Sequence, residues 1–244
     1  MFSGKIEDYI LFEDKEIIVC RKPAGIAVQN ARIGAMDLES SLKNYLAMQD
    51  GGGRRIPYLA VIHRLDQPVE GILVFGKTPE AAKSLSAQIT AGKMEKIYLA
   101  VTYGKQAEAG KKEKVLEDYL KKDGKSNTSS VVNANTPGAK KARLSYEVLG
   151  EAVDAISGKK KWLLRIHLDT GRHHQIRVQF ASRGLGLYGD TKYNSKFQKT
   201  KKKYTEIGLY STRISFNHPV TGDRMTFKIE PSGEAFEKMD VEAF

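Results

Sequence analysis

Three short stretches of this 244-residue chain carry side chains able to do chemistry. The first is His63-Arg64-Leu65-Asp66, which follows the apolar run at 58–62 and enters a turn. A carboxylate leaving a buried strand is partly desolvated and calls for a nearby cation, the environment in which acids and nucleophiles are tuned. An Asp ahead of Gln67-Pro68 is also ordinary turn chemistry. The second stretch, Thr170-Gly171-Arg172-His173-His174-Gln175-Ile176-Arg177, places two arginines, two histidines and a glutamine where the pattern predicts the start of a helix. Such an end attracts anions through its dipole and its unpaired N–H groups, although a solvated helix face has the same composition. The third is Tyr98 in Glu95-Lys96-Ile97-Tyr98-Leu99-Ala100. Alternation sets Tyr98 opposite Ile97, Leu99 and Val101, as a packed strand tyrosine or as an aromatic plate for a nucleobase. Metal ligation is not expected: adjacent histidines diverge on a helix, and no His-x-x-x-His pair or cysteine partner is present. A kinase catalytic loop is excluded by spacing and by the lack of a glycine-rich phosphate loop.

The elements that must position these residues are read from periodicity and turn signals. Residues 10–28 predict a hairpin about Glu13-Asp14-Lys15, then a bend at Pro23 and Gly25 into a second extended piece at 26–28. Residues 37–48 predict a helix capped by Asp37, and 79–90 a helix with Pro79 in its first turn. Strands are predicted at 58–62, 72–75, 97–103, 144–149 and 161–168, with a last hairpin at 209–216 and 225–229. In 161–168, Leu164, Ile166 and Leu168 face one way and Arg165 and His167 the other. Thr170-Gly171 predicts a helix running to about Ser182. Residues 104–140 read as a polar, lysine-rich surface excursion with at most one hairpin and a loose tip at 126–130. Strands dominate without a regular β-α-β repeat, so the fold class is α+β with a large mixed, mainly antiparallel sheet and packed helices, as a single domain over 1–244.

Composition narrows the partners. The net charge is +11, and residues 158–204 alone hold 13 basic and two acidic residues, which leaves the rest neutral. A positive field confined to one stretch reads as a polyanion-binding surface. The lysines at 199–203 taken alone could equally be a solubilising loop. The longest uninterrupted apolar runs, 58–62 and 97–101, are far too short to span a membrane. Cys20 is the one cysteine; with no intramolecular disulfide available, the chain reads as cytoplasmic.

Together, HRLDQPVEGILVFGKT (63–78), EKIYLAVTYG (95–104) and LDTGRHHQIRVQFASRGLGLYGDTKY (168–193) resemble the RluA-type pseudouridine synthases in order and spacing. The flanking LFEDKEIIVCRKPAGIAV (11–28) and LYSTRISFNHPVTG (209–222) are similar to that family's outer elements. The resemblance implies an isomerase that detaches a uracil in structured ribosomal or transfer RNA, turns it and rejoins it to the ribose through carbon 5. No metal and no organic cofactor are implied. It implies that Asp66 is the catalytic carboxylate and that Tyr98 packs on the target base. It further implies that Arg177 pairs with the aspartate, that Arg64 fills the gap left by the flipped nucleotide, and that Arg172 contacts a phosphate. Flipping a stacked base costs a few kcal/mol, which phosphate contacts can offset. The chain departs from the family at Val69-Glu70, Gln179, Gly186 and Tyr210. It is expected to begin directly with the catalytic part, without a separate N-terminal RNA-binding domain, and to be monomeric. The rival reading is a non-catalytic RNA-binding protein on the same scaffold. A metal-dependent nuclease is poorly supported, since no ligand spacing is present.

Overall fold

A computed structural model describes residues 2–30, 36–51, 56–103, 113–154, 157–199 and 206–240. In chain order the elements are β1 (Ile10–Glu13), β2 (Ile17–Lys22), α1 (Leu38–Gln49), β3 (Ala60–Val61), β4 (Glu70–Gly76), α2 (Pro79–Thr90), β5 (Glu95–Tyr103), β6 (Lys114–Asp123), β7 (Thr128–Val132), β8 (Lys140–Val153) and β9 (Lys160–Leu168). They continue with α3 (Gln175–Ala181), α4 (Ser195–Gln198), β10 (Leu209–Asn217) and β11 (Arg224–Lys228). The chain forms two compact units, residues 1–95 with 211–229 and residues 96–210 with 230–244. Each is α+β, as the sequence predicts.

In the first unit the strand order is β1-β2-β4-β10, with β11 on β10 and β3 on β4. The strands alternate, so Ile17 and Val19 of β2, Ile72 and Val74 of β4, and Ile214 and Phe216 of β10 share a face. Ala81 and Leu85, one helical turn apart on α2, close over that face together with Met94. The Thr78 hydroxyl caps α2 by accepting the Ala81 N–H at 3.2 Å, and Pro79 occupies the first turn where its missing donor is harmless. Asp37 caps α1 through the Ser40 N–H at 2.7 Å. Gly71 has φ +142°, and a Cβ there would lie 2.5 Å from the Ser211 backbone, so β4 approaches β10 only because this residue has no side chain.

In the second unit the order is β5-β9-β8-β6-β7, and every pairing in it is antiparallel. Tyr98 sits opposite Ile166, and Ile166 opposite Tyr146, so these three form one row on one face. The α3 helix packs on that face: Phe180 meets Tyr146 edge-on at 5.0 Å, and Val178 packs with Leu120 and Ala142.

Four expectations change. The extended piece at 26–28 makes no strand, although Ala27 and Val28 carbonyls accept the Leu38 and Glu39 N–H groups at the start of α1. The strand at 58–62 shortens to Ala60–Val61. The excursion at 104–140 contains the one hairpin allowed for it, β6–β7, but the expected loose tip is mostly strand: Ser129 is buried, and its N–H donates to the Tyr193 hydroxyl at 2.7 Å. Finally, the third helix begins at Gln175 rather than Thr170. Gln175 explains the delay. Its amide oxygen accepts the Thr170 hydroxyl and the Arg172 N–H, its amide nitrogen donates to the Arg143 carbonyl, and His174 adopts the left-handed φ of 54° just before the first turn.

Candidate active site

Asp66 and Arg64 belong to the first unit, and Tyr98, Arg172 and Arg177 to the second. Leu65 and Val69 are buried at 7% and 2% exposure, and they pin the turn that carries Asp66 to the core. Asp66 opens that turn, its carbonyl accepting the Val69 N–H at 3.0 Å. The carboxylate is half-buried, while Arg64 beside it is exposed. This turn is tied to the segment after β2 by several bonds. The Gly25 N–H donates to the Gln67 carbonyl at 2.8 Å, and the Gln67 amide donates to the Gly25 carbonyl at 3.0 Å. Gly25 holds a positive φ of 83°, which the tight approach requires.

Sequence reasoning missed the group that completes this clamp. Lys22, at the end of β2, is fully buried. Its ammonium donates to the carbonyls of Pro23 at 2.9 Å, Ile26 at 2.7 Å and Gln67 at 3.1 Å, one proton for each. Burial pulls its pKa down to about 7, against the carboxylates of Asp66 and Glu70, which favour the charged form. Below that value Lys22 is a cation in the field of Asp66. No sequence signal marks it, because its partners are backbone carbonyls. Glu70, one of the departures from the family pattern, also faces Arg21 at 3.6 Å.

In the second unit, Tyr98 is 5% exposed on the face that α3 covers. Arg177 on α3 is clamped by Asp190 in bidentate fashion, Nε to Oδ2 and Nη2 to Oδ1, both at 2.8 Å. Asp190 is fully buried and also accepts the Lys192 and Tyr193 N–H groups. The guanidinium lies 5.1 Å from the centre of the Tyr193 ring. The Tyr193 hydroxyl bonds His174 Nδ1 at 2.7 Å, and the two histidines stack at 3.7 Å, with His173 reaching Ser129 at 2.8 Å. In the sequence Asp190 was one of two acids in a basic stretch. Its role as the Arg177 partner becomes legible only when the chain returns past α3.

Arg172 is exposed, and its Nε donates to the Lys141 carbonyl at 2.8 Å, which orients the guanidinium. The helix-start anion site expected here is reduced: α3 has seven residues, and the Arg172 N–H already goes to Gln175. The basic stretch is also less free than its count suggests. Arg165 pairs with Glu147, Lys160 with Glu151 and Arg183 with Asp118, acids that lie outside the stretch, and Lys161 is buried. Lys192 is half-buried and its ammonium donates to the Asn127 carbonyl at 2.9 Å; Lys196 and Lys199 remain exposed, and 200–205, with Lys201, Lys202 and Lys203, lie outside the described residues. Gln179, another of the departures named from the resemblance, is fully buried and donates to Asp118 at 2.7 Å. Among the described residues no group of three or more His, Cys, Asp or Glu side chains could hold a metal ion, and no helix is long and apolar enough to cross a membrane.

Comparison with known proteins places the chain. Residues 16–182 match the family model described as RNA pseudouridylate synthase. The chain is similar to the ribosomal large subunit pseudouridine synthase D of Pseudomonas aeruginosa, at 30% identity over 91% of this chain and 68% of that protein. It is also similar to the ribosomal large subunit pseudouridine synthase C of Pasteurella multocida, at 31% identity over 91% of this chain and 64% of that protein. The chain thus spans about two thirds of the length of these relatives. Among solved structures, human RNA pseudouridylate synthase domain containing 4 shares the fold, with a TM-score of 0.71 at 19% identity, covering 95% of this chain and 92% of that one.

Proposed function

We propose that this chain, which belongs to the RNA pseudouridylate synthase family, isomerises selected uridines of structured ribosomal or transfer RNA in the cytoplasm, with Asp66 as the catalytic carboxylate. Overall the N1–C1′ bond breaks, the C5–C1′ bond forms and a proton passes from C5 to N1. No electron is lost or gained, so the reaction asks the protein for positioning, charge and an acid–base group. We read residues 1–244 as one catalytic domain, because the family match at 16–182 runs through both units, and we propose that it works as a monomer.

The observation that carries this reading is the turn holding Asp66. A carboxylate is fixed between two buried apolar anchors, on a loop clamped to β2 by Lys22 and Gly25, in the field of a buried ammonium. Such preorganisation is what a group acting at a ribose or a base requires. In this reading Tyr98 packs on the everted base, Arg177 stands as the cation for Asp66 while Asp190 fixes its orientation, Arg64 fills the gap in the RNA, and Arg172 takes a phosphate. Asp66→Asn keeps the shape and removes the charge. We expect it to abolish pseudouridine formation while RNA binding survives, measured by mapping pseudouridine across cellular RNA with wild type, with the variant and without the protein. Full turnover by Asp66→Asn would end its assignment, and a map unchanged by removing the protein would favour the non-catalytic RNA-binding reading.

A further inference from the structure

Four lysines and arginines are buried among the described residues: Lys22, Lys96, Lys161 and Arg177. Three have partners. Lys22 has its three carbonyls, Lys161 donates to the Ala235 carbonyl at 2.9 Å, and Arg177 has Asp190. Lys96 differs. It is 7% exposed, yet among the described residues no hydrogen bond or ion pair engages its ammonium. The acid whose field reaches it is Asp169, and that carboxylate is already held by Arg143 and by His167, the latter at 3.1 Å. Burial pulls the Lys96 pKa below the ordinary lysine value. A buried cation without a partner is costly, and a chain under no functional demand would place an apolar residue there.

The position says what the charge is kept for. Lys96 lies two residues before Tyr98 in β5, on the same face of the sheet, so their side chains stand roughly 6.5 Å apart along the strand. Its ammonium ends beside Gly171, where a Cβ would lie 3.9 Å away, and Gly171 is itself exposed. The amine therefore lies beneath the exposed Gly171, on the same strand face as the tyrosine assigned to the base. Uracil is neutral, and the anions of an RNA strand are its phosphates.

We propose that Lys96 is a substrate-binding residue whose ammonium takes a phosphodiester oxygen of the RNA strand that delivers its base to Tyr98. This rests on the RNA-modifying reading above and adds a contact to it. The site is left without an internal partner so that the RNA can supply one.

The test uses the full chain and pentauridylate as the probe, with affinity measured over a series of salt concentrations and the Lys96 ammonium followed by NMR. Wild type should bind with a salt dependence that Lys96→Met lowers by about 0.7 in log–log slope, the value for one single-strand phosphate. Affinity should fall several-fold in Lys96→Met and in Lys96→Gln, whereas Lys96→Arg should keep both affinity and slope. Pentauridylate should raise the titration midpoint of the wild-type Lys96 ammonium. Unchanged slope and affinity in the neutral variants would overturn the proposal, as would a wild type that does not bind pentauridylate. If neither neutral variant folds, the midpoint of the wild-type ammonium decides alone, and a midpoint that does not move rejects the contact. None of these readouts uses turnover, so they can fail while isomerisation by Asp66 stands. They can also succeed if Asp66 proves not to be catalytic.

Discussion

Lys22 in the first unit and Lys96 in the second pose the same physical problem and solve it in opposite ways. Both are ammonium groups removed from water near the end of a strand. Lys22 gives each of its protons to a backbone carbonyl, and in doing so it holds the segment after β2 against the turn that carries Asp66. Lys96 gives its protons to no described residue and lies beside Tyr98. The contrast teaches how to read a buried charge. One whose hydrogen-bonding capacity is filled from within is scaffold, and one whose capacity is left open is reserved for something from outside.

The largest effect that can break this comparison is on stability. Lys22→Met strands three carbonyls among apolar atoms, and we expect a loss of about 3–5 kcal/mol. Lys96→Met removes a charge without stranding a partner, so its urea denaturation midpoint should equal or exceed that of wild type. Equal losses in the two variants would erase the distinction.

A smaller effect is the dependence of stability on pH. For both lysines the folded pKa lies below the unfolded one. Between the two values the unfolded chain binds more protons, so stability rises with pH across that interval. For Lys22 the interval runs from about 7 to its ordinary 10.5. The difference between wild-type and Lys22→Met midpoints should therefore grow in favour of wild type as pH is raised from 7 to 9. A difference that stays flat or shrinks contradicts the assigned burial.

The smallest effect is expected at an exposed charge. Lys160 pairs with Glu151 at 2.6 Å on the surface of the second unit. Lys160→Ala should leave the denaturation midpoint unchanged within error, since exposed ion pairs contribute little. A clear loss there would mean that burial is not what separates the important cations from the rest.

The sequence made much of this legible, for identifiable reasons. The alternation of Leu164, Ile166 and Leu168 against Arg165 and His167 reports the two faces of β9, and Asp37 and Pro79 mark their helix starts, because each signal is local. The strand character of the expected loose tip was obscured because Thr128, Ser129 and Ser130 look like a turn. What makes them strand is pairing with β6 and the Tyr193 hydroxyl, 64 residues away from Ser129. The early helix start failed because one side chain, Gln175, outbids the helix for the donors before it. At the candidate site, motif residues such as Asp66, Tyr98 and Arg177 could be named from their neighbours in the chain. Asp190 and Lys22 could not, since their roles exist only once distant segments meet.

The close approach at Gly71 carries a consequence for variation. The Ser211 backbone occupies the space in which any other residue would place its first side-chain carbon. A pool of genes randomised at that codon and sorted for folded protein should therefore return one amino acid. Just five positions along from Asp66, the path of the loop is set by an atom that must never be added.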